Sequence, residues 1–357
     1  MKEAIVTAGP VVQIREGPIP TPNDDQVLIK VIVSGTNPKD WKAPEIAAQA
    51  RPGDAVYEFL LPATAGFNQG DDIAGIIERV GANVVEFKVG DRVAAFHEMM
   101  TPHGSYAEYA IAPAHTTFHL PSNTSFEEAS TIPLAALTAV ISLYRHHAFP
   151  PPWTPATTTI PLVIYGASTA VGGFAIKLAR ASNIHPLIAI AGRGSAFVEG
   201  LLDASKGDTV IDYRDSADNI VAKIQSAAKA SGHGEVQHAI DAAIVPESAH
   251  ILSRAVAPGG QINFILPNDF DVSPAVKTVT SVGAAHNQAT FGDDRDLAFV
   301  FSRYFTRALQ LGTFTGHPFQ VRDGGLWAVQ QALADLKENK ASATKYILRL
   351  SDTPLCK

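Results

Sequence analysis

A run of small residues between a predicted strand and a predicted helix is the first feature of this sequence that could do chemistry. Leu162–Tyr165 has the all-apolar pattern of a buried strand, and the residues that follow it, Gly166–Gly173, are all small apart from one valine. Small side chains let a pyrophosphate approach the backbone N–H groups at a helix start, and Ser168 and Thr169 add hydroxyl donors. The run lacks a complete G-x-G-x-x-G, so an ordinary strand-to-helix turn remains an open alternative.

The residues after the next predicted strand indicate which dinucleotide this turn would hold. Sites for NAD usually have an acidic residue there, roughly 20 residues further on, that binds the ribose hydroxyls. No Asp or Glu lies between Ile184 and Val198, and the strand Leu187–Ala191 is followed by a loop that contains Arg193 and Ser195. A guanidinium and a hydroxyl suit a 2′-phosphate, so the sequence favours NADPH. The alternative is that Arg193 is an ordinary solvated loop residue.

Strands and helices alternate through the part of the chain that carries these residues. Such alternation predicts a parallel sheet with helices on both faces, which we place at residues 129–299. A helix over Glu127–Tyr144 and a Pro- and Thr-rich surface connection, Pro150–Pro161, come before the first strand. The predicted elements are strands Leu162–Tyr165, Leu187–Ala191, Thr209–Asp212, His238–Asp241 and Gln261–Ile265, and helices Ala170–Ser182, Phe197–Ala204, Ala217–Ala230 and Glu247–Val256.

Short alternating segments punctuated by Gly and Pro predict a β-rich domain at residues 1–128, a compact and partly closed barrel. One short helix is expected over Asp40–Pro52. Residues 300–357, with a helix near Leu326–Leu336 and a strand at Tyr346–Leu350, are expected to complete this domain. The predicted strands of residues 1–128 are Ala4–Val6, Gln26–Val33, Ile73–Val80, Arg92–Ala95 and Ser105–Ile111.

Composition limits the functional classes. The 357 residues carry a net charge of −7 without a basic cluster, which argues against nucleic acid as a partner. The apolar run Thr131–Tyr144 is too short to span a bilayer, and the first residues alternate like a strand, so we expect neither a membrane segment nor an export signal. The single cysteine, Cys356, excludes an internal disulfide and fits a reducing compartment. We therefore expect a cytoplasmic protein.

An ordered set of short blocks over nearly the whole chain resembles the medium-chain dehydrogenase/reductase superfamily, in its quinone-oxidoreductase and enoyl-reductase branch. The chain is similar there to fungal reductases often labelled zinc-binding alcohol dehydrogenase-like and to the trans-acting enoyl reductases of polyketide pathways. The resemblance implies an α/β protein with a GroES-like β-rich barrel domain, a Rossmann domain with a doubly wound parallel sheet, and an active cleft between the two. The matching blocks include Asn37–Lys42, Gly70–Gly75, Gly90–Val93, Gly104–Tyr109, Pro133–Ala139, the turn at Gly166, Asp212–Tyr213, Pro258–Gly260 and Gly324–Leu326.

The resemblance also assigns residues to the cofactor. It implies that Thr138 lies near the nicotinamide and that the small-residue turn, the loop after the second strand and Tyr213 contact the phosphates and the adenosine ribose. Tyr213 has an alternative role as a packing tyrosine. The full set of cofactor residues expected is Thr138, Gly166, Ser168, Thr169, Ala170, Val171, Arg193, Ser195, Tyr213 and Ile265.

The sequence argues against a catalytic zinc. Zinc-dependent members of the superfamily hold the metal with a Cys, a His and a second Cys or an acid, and the matching positions here are Asn37, Asp71 and Leu134. Leucine cannot ligate, an amide is a poor zinc ligand, and one carboxylate does not make a site. His115 and His119 have no obvious third ligand, so we expect structural or surface histidines and no metal.

Without a metal, another group must stabilise the negative charge that develops on the substrate oxygen and deliver a proton. The resembling enoyl reductases carry a functional lysine where this chain has Lys42, which implies a role as hydrogen-bond donor or general acid. Asn37 and Asp40 are expected beside it as catalytic residues, and Tyr57 could reach the same place. The alternative for Lys42 is an ordinary exposed lysine.

These residues favour NADPH-dependent, zinc-independent reduction of an activated C=C bond. The substrate would be a small molecule, either a free enone or alkenal or a polyketide chain on a carrier. A quinone reductase and a carbonyl reductase are the near alternatives, and an NADPH-binding protein without turnover is an alternative of another class. The connection Pro150–Pro161 and the loop Ala43–Phe67 are expected to shape the cleft and influence specificity. Either a monomer or a homodimer is compatible with the scaffold.

Overall fold

The computed structural model describes residues 1–54, 57–64, 66–232, 234–287 and 292–354, so Cys356 and part of the loop Ala43–Phe67 lie outside the described residues.

The chain forms two compact units. The first unit comprises Met1–Leu134 with Gly283–Lys357, and the second comprises Ala135–Val282. The second unit therefore begins later and ends earlier than the boundaries at 129 and 299 expected from the sequence.

Helices and strands follow one another along the chain in a mixed order. Up to residue 140 they are β1 (Lys2–Thr7), β2 (Val11–Glu16), β3 (Gln26–Gly35), α1 (Lys39–Gln49), α2 (Tyr57–Thr64), β4 (Asp72–Val80), β5 (Arg92–Phe96), β6 (Tyr109–Pro113), β7 (Thr117–His119), α3 (Phe126–Ala129) and α4 (Pro133–Val140). After a π-helical segment (Ile141–His146) they are β8 (Leu162–Tyr165), α5 (Ala170–Ala181), β9 (Leu187–Ala191), α6 (Ser195–Glu199), β10 (Thr209–Asp212), α7 (Ala217–Ala230), β11 (Val236–Asp241), α8 (Pro246–Ala255), β12 (Val256–Phe264), β13 (Val276–Val279), α9 (Arg295–Gln310), β14 (Phe319–Val321), α10 (Val329–Lys337) and β15 (Lys345–Arg349).

The first unit is built on a largely antiparallel sheet. Its strands are ordered β14-β15-β3-β4-β5-β7, with β6 also paired to β3, while β1 and β2 form a separate hairpin. Ile29 and Ile73 from this sheet and Tyr106 from the segment before β6 pack with Leu326 and Leu333 near the C-terminus in one core. The β-rich first domain and its completion by the C-terminal segment were thus expected from the residue pattern, although the strand predicted at Ser105–Ile111 begins only at Tyr109.

The second unit contains six parallel strands in the order β10-β9-β8-β11-β12-β13. Alternating strands and helices correctly predicted this parallel sheet, and three predicted strands, β8, β9 and β10, have the observed bounds. The strand order reverses at the neighbouring pair β8 and β11. Ligands of open α/β sheets bind outside the carboxyl ends of the strands at such a point, so this edge of the sheet is where a cofactor is expected.

The single helix predicted over Glu127–Tyr144 is wrong. The structure has α3, a break, α4 and the π-helical segment in its place. Pro133 is the first residue of α4, and proline has no N–H to continue a helix from the preceding turn but is well tolerated in a first turn. The chain therefore ends one helix before this proline and begins another with it. Within the part of the chain that the structure describes, no helix combines the length and the apolar character needed to cross a membrane.

Candidate functional site

The turn after β8 is held at the carboxyl edge of the second unit's sheet. The N–H groups of Gly166 and Ala167 both donate to the carbonyl of Ile190 on β9, at 3.1 and 3.0 Å. Gly166 has a φ of +76°, and a Cβ at this position would come within 3.0 Å of the backbone of Ala242 and Ala243. Glycine is therefore required both by the left-handed conformation and by the close approach of the segment that follows β11.

Helix α5 begins at this turn with a capping hydroxyl. Thr169 is the N-cap, and its side chain accepts the N–H of Gly172 at 3.0 Å. A Cβ on Gly172 would lie 2.3 Å from the carbonyl oxygen of Gly166, so only glycine fits where the helix packs on the turn. The N–H groups of Ala170 and Val171 have no hydrogen-bond partner within the described residues. A helix start with free N–H groups attracts anions, and this one can hold a pyrophosphate.

The next two strand ends bring further expected residues to the same edge. Arg193 is exposed in the loop after β9, and Ser195 is the first residue of α6. Tyr213 follows β10, and its N–H donates to the carbonyl of Ala191 at 3.1 Å. Its ring covers Gly192, where a Cβ would come within 2.2 Å of the ring. Tyr213 thus packs against the loop that carries Arg193 while 43% of its surface stays exposed.

Asp241 organises the segment after β11 and was not identified from the sequence. Its carboxylate accepts the N–H groups of Ala243 and Ile244 at 2.9 and 2.8 Å and the hydroxyl of Ser248 at 2.5 Å. Burial raises the pKa of Asp241 because it disfavours the charged form. Ile265, directly after β12, donates its N–H to the carbonyl of Asp241. The only sequence signal was an acid at the end of an apolar strand.

Thr138, the remaining residue assigned to the cofactor, lies on α4 and is buried, with 4% of its surface exposed. The other assigned residues meet at the carboxyl edge formed by β8, β9, β10 and β12. The edge has the small-residue turn at its centre and a guanidinium at the neighbouring strand end, which is an arrangement suited to a phosphorylated dinucleotide.

In the first unit, the expected catalytic residues Asn37 and Asp40 form part of a buried ion-pair cluster. Lys39 pairs with Asp71 and, at 3.2 Å, with Asp40, and it donates to the carbonyl of Gln69 at 2.6 Å. Asp40 also accepts the hydroxyl of Tyr106 at 2.5 Å and the N–H of Asn37 at 2.8 Å. Lys39 is the central cation of this cluster and was not identified from the sequence.

Burial determines how this cluster ionises. It raises the pKa of Asp40 to about 7 and that of Asp71 to about 6, because removal from water disfavours both carboxylates. Burial alone would lower the pKa of Lys39, but the charges of Asp71 and Asp40 raise it overall. The lysine therefore remains an ammonium ion, and the two acids share its charge.

A second buried pair adjoins the first through Asn37. The Asn37 amide donates to Asp72 at 2.7 Å and accepts from Lys345 at 3.0 Å. Lys345 pairs directly with Asp72, whose other oxygen accepts the N–H of Leu134 at 2.7 Å. Both ends of the Asn37 amide are thus occupied by protein groups, which fits a positioning role.

Replacing Lys345 with methionine should lower the free energy of unfolding by about 3–5 kcal/mol, because Asp72 would be left buried without its cation. Chemical unfolding of the variant measures this loss. The control is Lys88→Met, because Lys88 pairs with Asp91 while 83% of its side chain is exposed. Its loss should be about 0–1 kcal/mol. Equal losses in the two variants would show that burial does not make the Lys345 pair important.

Lys42 is not part of either pair. It lies on α1, three residues after Lys39, and is half-buried. Its backbone N–H donates to the carbonyl of Pro38, but within the described residues its ammonium has no hydrogen bond or ion pair. Its ammonium lies 5.6 Å from the ring centroid of Trp41. Burial lowers the pKa of Lys42 because no carboxylate compensates for its lost hydration. The structure thus brings Asn37 and Asp40 together but leaves Lys42 as a separate ammonium with a proton that is easier to release.

The side chains at the positions where the superfamily binds zinc do not fit that metal. The Asn37 amide is used by Lys345 and Asp72, Asp71 is paired with Lys39, and Leu134 has no donor atom. Across the residues with described positions, no group of three or more His, Cys, Asp or Glu side chains is arranged to hold a metal ion.

The two histidines considered from the sequence have protein partners. His115 hydrogen-bonds to the carbonyl of Ala285 at 2.8 Å, and His119 to Asp91 at 3.1 Å. Burial lowers the pKa of His115. Both contacts are those of structural histidines.

Comparisons with known proteins agree with this geometry. Residues 23–122 match the family model of the alcohol dehydrogenase GroES-like domain. Among solved structures, the CurK enoyl reductase superposes with a TM-score of 0.73 at 18% identity and covers 99% of both chains. A mycobacterial protein complexed with NADPH superposes with a TM-score of 0.71 at 19% identity, covering 98% of this chain and 100% of the other. These structural likenesses show the shared fold and confirm the expected combination of a GroES-like and a Rossmann domain.

Sequence similarity identifies the family more narrowly. The trans-enoyl reductase fsr4 of Gibberella fujikuroi is 43% identical over 333 residues, which cover 91% of each chain. The trans-enoyl reductase resD of Aspergillus sclerotiorum is 28% identical and covers 98% of this chain and 100% of its own. The chain therefore belongs to the family of fungal trans-enoyl reductases, within the medium-chain dehydrogenase/reductase superfamily, and is an oxidoreductase of that type.

Proposed function

We propose that this protein reduces an activated C=C bond with NADPH and without a metal ion. The main support is the carboxyl edge of the parallel sheet, where a helix start suited to anions and an exposed arginine lie at neighbouring strand ends. The relationship to trans-enoyl reductases adds to this support. A polyketide chain on a carrier and a free enone or alkenal are the substrate classes that this reaction accommodates. The proposed location is the cytoplasm.

The cofactor preference rests on Arg193 and on its neighbours. The segment between Ile184 and Val198 contains no carboxylate that could bind the ribose hydroxyls of NAD. Arg193 and Ser195 supply a guanidinium and a hydroxyl, while Ala170 and Val171 supply free N–H groups for the pyrophosphate. When bound, the nicotinamide supplies the hydride.

Replacing Arg193 with alanine should raise the KM for NADPH by about ten- to a hundredfold, because a charge-assisted pair to the 2′-phosphate is lost. The KM for NADH should stay within about twofold, because NADH has no 2′-phosphate. Steady-state kinetics with both cofactors at one substrate concentration measure the two changes. If both KM values rose together, Arg193 would have a general rather than a phosphate-specific role.

Lys42 is the proposed general acid and oxyanion donor. Addition of hydride to the β-carbon leaves enolate charge on the substrate oxygen, and a nearby ammonium both stabilises this charge and supplies a proton. The lowered pKa of Lys42 brings its acidity closer to neutral pH. Asn37 and Asp40, whose polar atoms already have protein partners, are proposed to position the start of α1.

A substrate panel tests the function as a whole. Oxidation of NADPH by the purified protein should be fastest with an α,β-unsaturated thioester or enone, slower with an aldehyde or a quinone, and unchanged by a chelator. Preference for the quinone or the aldehyde would replace the proposed substrate class. NADPH binding without oxidation by any acceptor would identify a binding protein, and loss of activity with a chelator that zinc restores would refute metal independence.

A further inference from the structure

The ammonium of Lys39 occupies a position surrounded by oxygen atoms. Its Nζ contacts a carboxylate oxygen of Asp71, the carbonyl oxygen of Gln69 at 2.6 Å and Oδ1 of Asp40 at 3.2 Å. The carbonyl oxygen of Gln69 accepts a hydrogen bond from this ammonium, while the two carboxylate oxygens contact it as ion-pair partners. Only 15% of the Lys39 side chain is exposed, and the two carboxylates are almost fully buried.

These oxygens form the type of ligand set that a hard divalent cation uses. Mg²⁺ and Mn²⁺ prefer carboxylate and carbonyl oxygens, whereas zinc sites in proteins mainly use sulfur and nitrogen. The other oxygen of Asp40 is occupied by Tyr106 and Asn37, so Oδ1 remains for the central cation. The Gln69 side chain is 1% exposed, and neither its oxygen nor its nitrogen has a hydrogen-bond partner within the described residues. It could therefore add an oxygen to the set.

The register of the sheet makes a cation necessary at this position. Gly35 at the end of β3 pairs with Asp72 at the start of β4, which brings the segment of Lys39 and Asp40 beside Asp71. Two buried carboxylates that meet in this way repel each other and have lost their hydration, so they must bind a cation or become protonated. Lys39 provides this cation from within the chain.

We propose that the Lys39 ammonium is the permanent cation of this oxygen-lined position, where it excludes divalent metals, and that its removal creates a site for a hard divalent cation. This inference rests on the metal independence put forward above as part of the function. It assigns that independence to a specific residue: the chain carries a positive charge of its own among carboxylates that would otherwise attract a metal. Once the Lys39 ammonium is removed, the ion that the site would bind is Mg²⁺ or Mn²⁺, with water completing its coordination.

Manganese binding to the Lys39→Ala variant tests the proposal. A titration with Mn²⁺, monitored by electron paramagnetic resonance, should show about one bound ion per chain. The affinity should be at least about a hundredfold above that of the parent, because both carboxylates have lost their cation. Lys39→Arg retains a positive charge and should bind no more Mn²⁺ than the parent. The double variant Lys39→Ala/Asp71→Asn should lose the gained site.

A folded Lys39→Ala variant without the gained Mn²⁺ site would overturn the proposal, as would stoichiometric Mn²⁺ binding by the parent. If Lys39→Ala is too unstable for the titration, its thermal unfolding with and without Mn²⁺ decides. Stabilisation by the ion supports the proposal, and no response to the ion, together with no Mn²⁺ binding by Lys39→Gln, refutes it. These measurements need neither NADPH nor a substrate. Failure of the parent to oxidise NADPH would thus refute the proposed function while leaving the metal result to stand by itself.

Discussion

The Lys42→Met variant should turn over its substrate about a thousandfold more slowly than the parent, within the range of roughly 10²–10⁴ that positioned acid–base groups contribute. Methionine retains the length and apolar stem of lysine but has neither charge nor proton. The dissociation constant for NADPH should not change, because Lys42 is not among the residues proposed to bind the phosphates and the ribose of the cofactor. Steady-state rates and fluorescence titration of NADPH measure the two quantities.

The pH dependence provides a second readout for Lys42. A general acid must be protonated, so the turnover number of the parent should fall as the pH rises through the pKa of Lys42, which burial has lowered. The Lys42→Met variant should lack this decrease. The exposed Lys30 on β3 provides a control, and Lys30→Met should retain parental rates and the parental pH profile. Parental turnover by Lys42→Met would remove this residue from the mechanism.

The Gly172→Val variant should bind NADPH so weakly that no complex is detected at concentrations about a hundredfold above the parental dissociation constant, since overpacking forces the backbone to shift. A side chain at this position would start 2.3 Å from the carbonyl oxygen of Gly166, so α5 could not stay against the turn. The phosphate-binding N–H groups lie in these two segments. Fluorescence titration of NADPH measures the loss.

Gly200→Val is the matched control for this variant. The atom nearest to a Cβ on Gly200 is 3.5 Å away, which is an ordinary contact distance, and the residue is exposed. This control should bind NADPH like the parent. Circular dichroism of both variants shows whether the second unit remains folded. A folded Gly172→Val variant with parental affinity would mean that the small-residue turn does not hold the cofactor.

Local sequence patterns were sufficient where a segment buries its own apolar residues. Leu162–Tyr165 and Leu187–Ala191 are entirely buried strands, and their apolar runs indicated them directly. Helix α9, Arg295–Gln310, was not predicted, although its buried residues Ala298, Phe301 and Phe305 follow helical spacing. The sequence therefore contained the pattern that indicates this helix. The break between α3 and α4 was also readable from Pro133, whereas the π-helical segment after it depends on packing that no local pattern specifies.

Distances along the chain explain which parts of the candidate site were found. The cofactor residues from Gly166 to Val171 lie within six consecutive positions, so their small size and position between strand and helix identified them together. Lys39 was overlooked because its importance arises from Asp71 and Gln69, which lie about thirty residues away. Asp71 appeared only in a matching block and as a mismatched zinc position, and Gln69 was not singled out.

By itself the sequence determined the two-domain class, the parallel sheet and the small-residue turn, because apolar periodicity and residue size act over a few neighbouring residues. Only the tertiary structure decided which charges meet. The pairings of β3 with β4 and β15 bring Asn37, Asp72 and Lys345 together and place Lys39 between two carboxylates. An ion pair depends on distance in space, and strand register sets that distance for residues far apart in the chain.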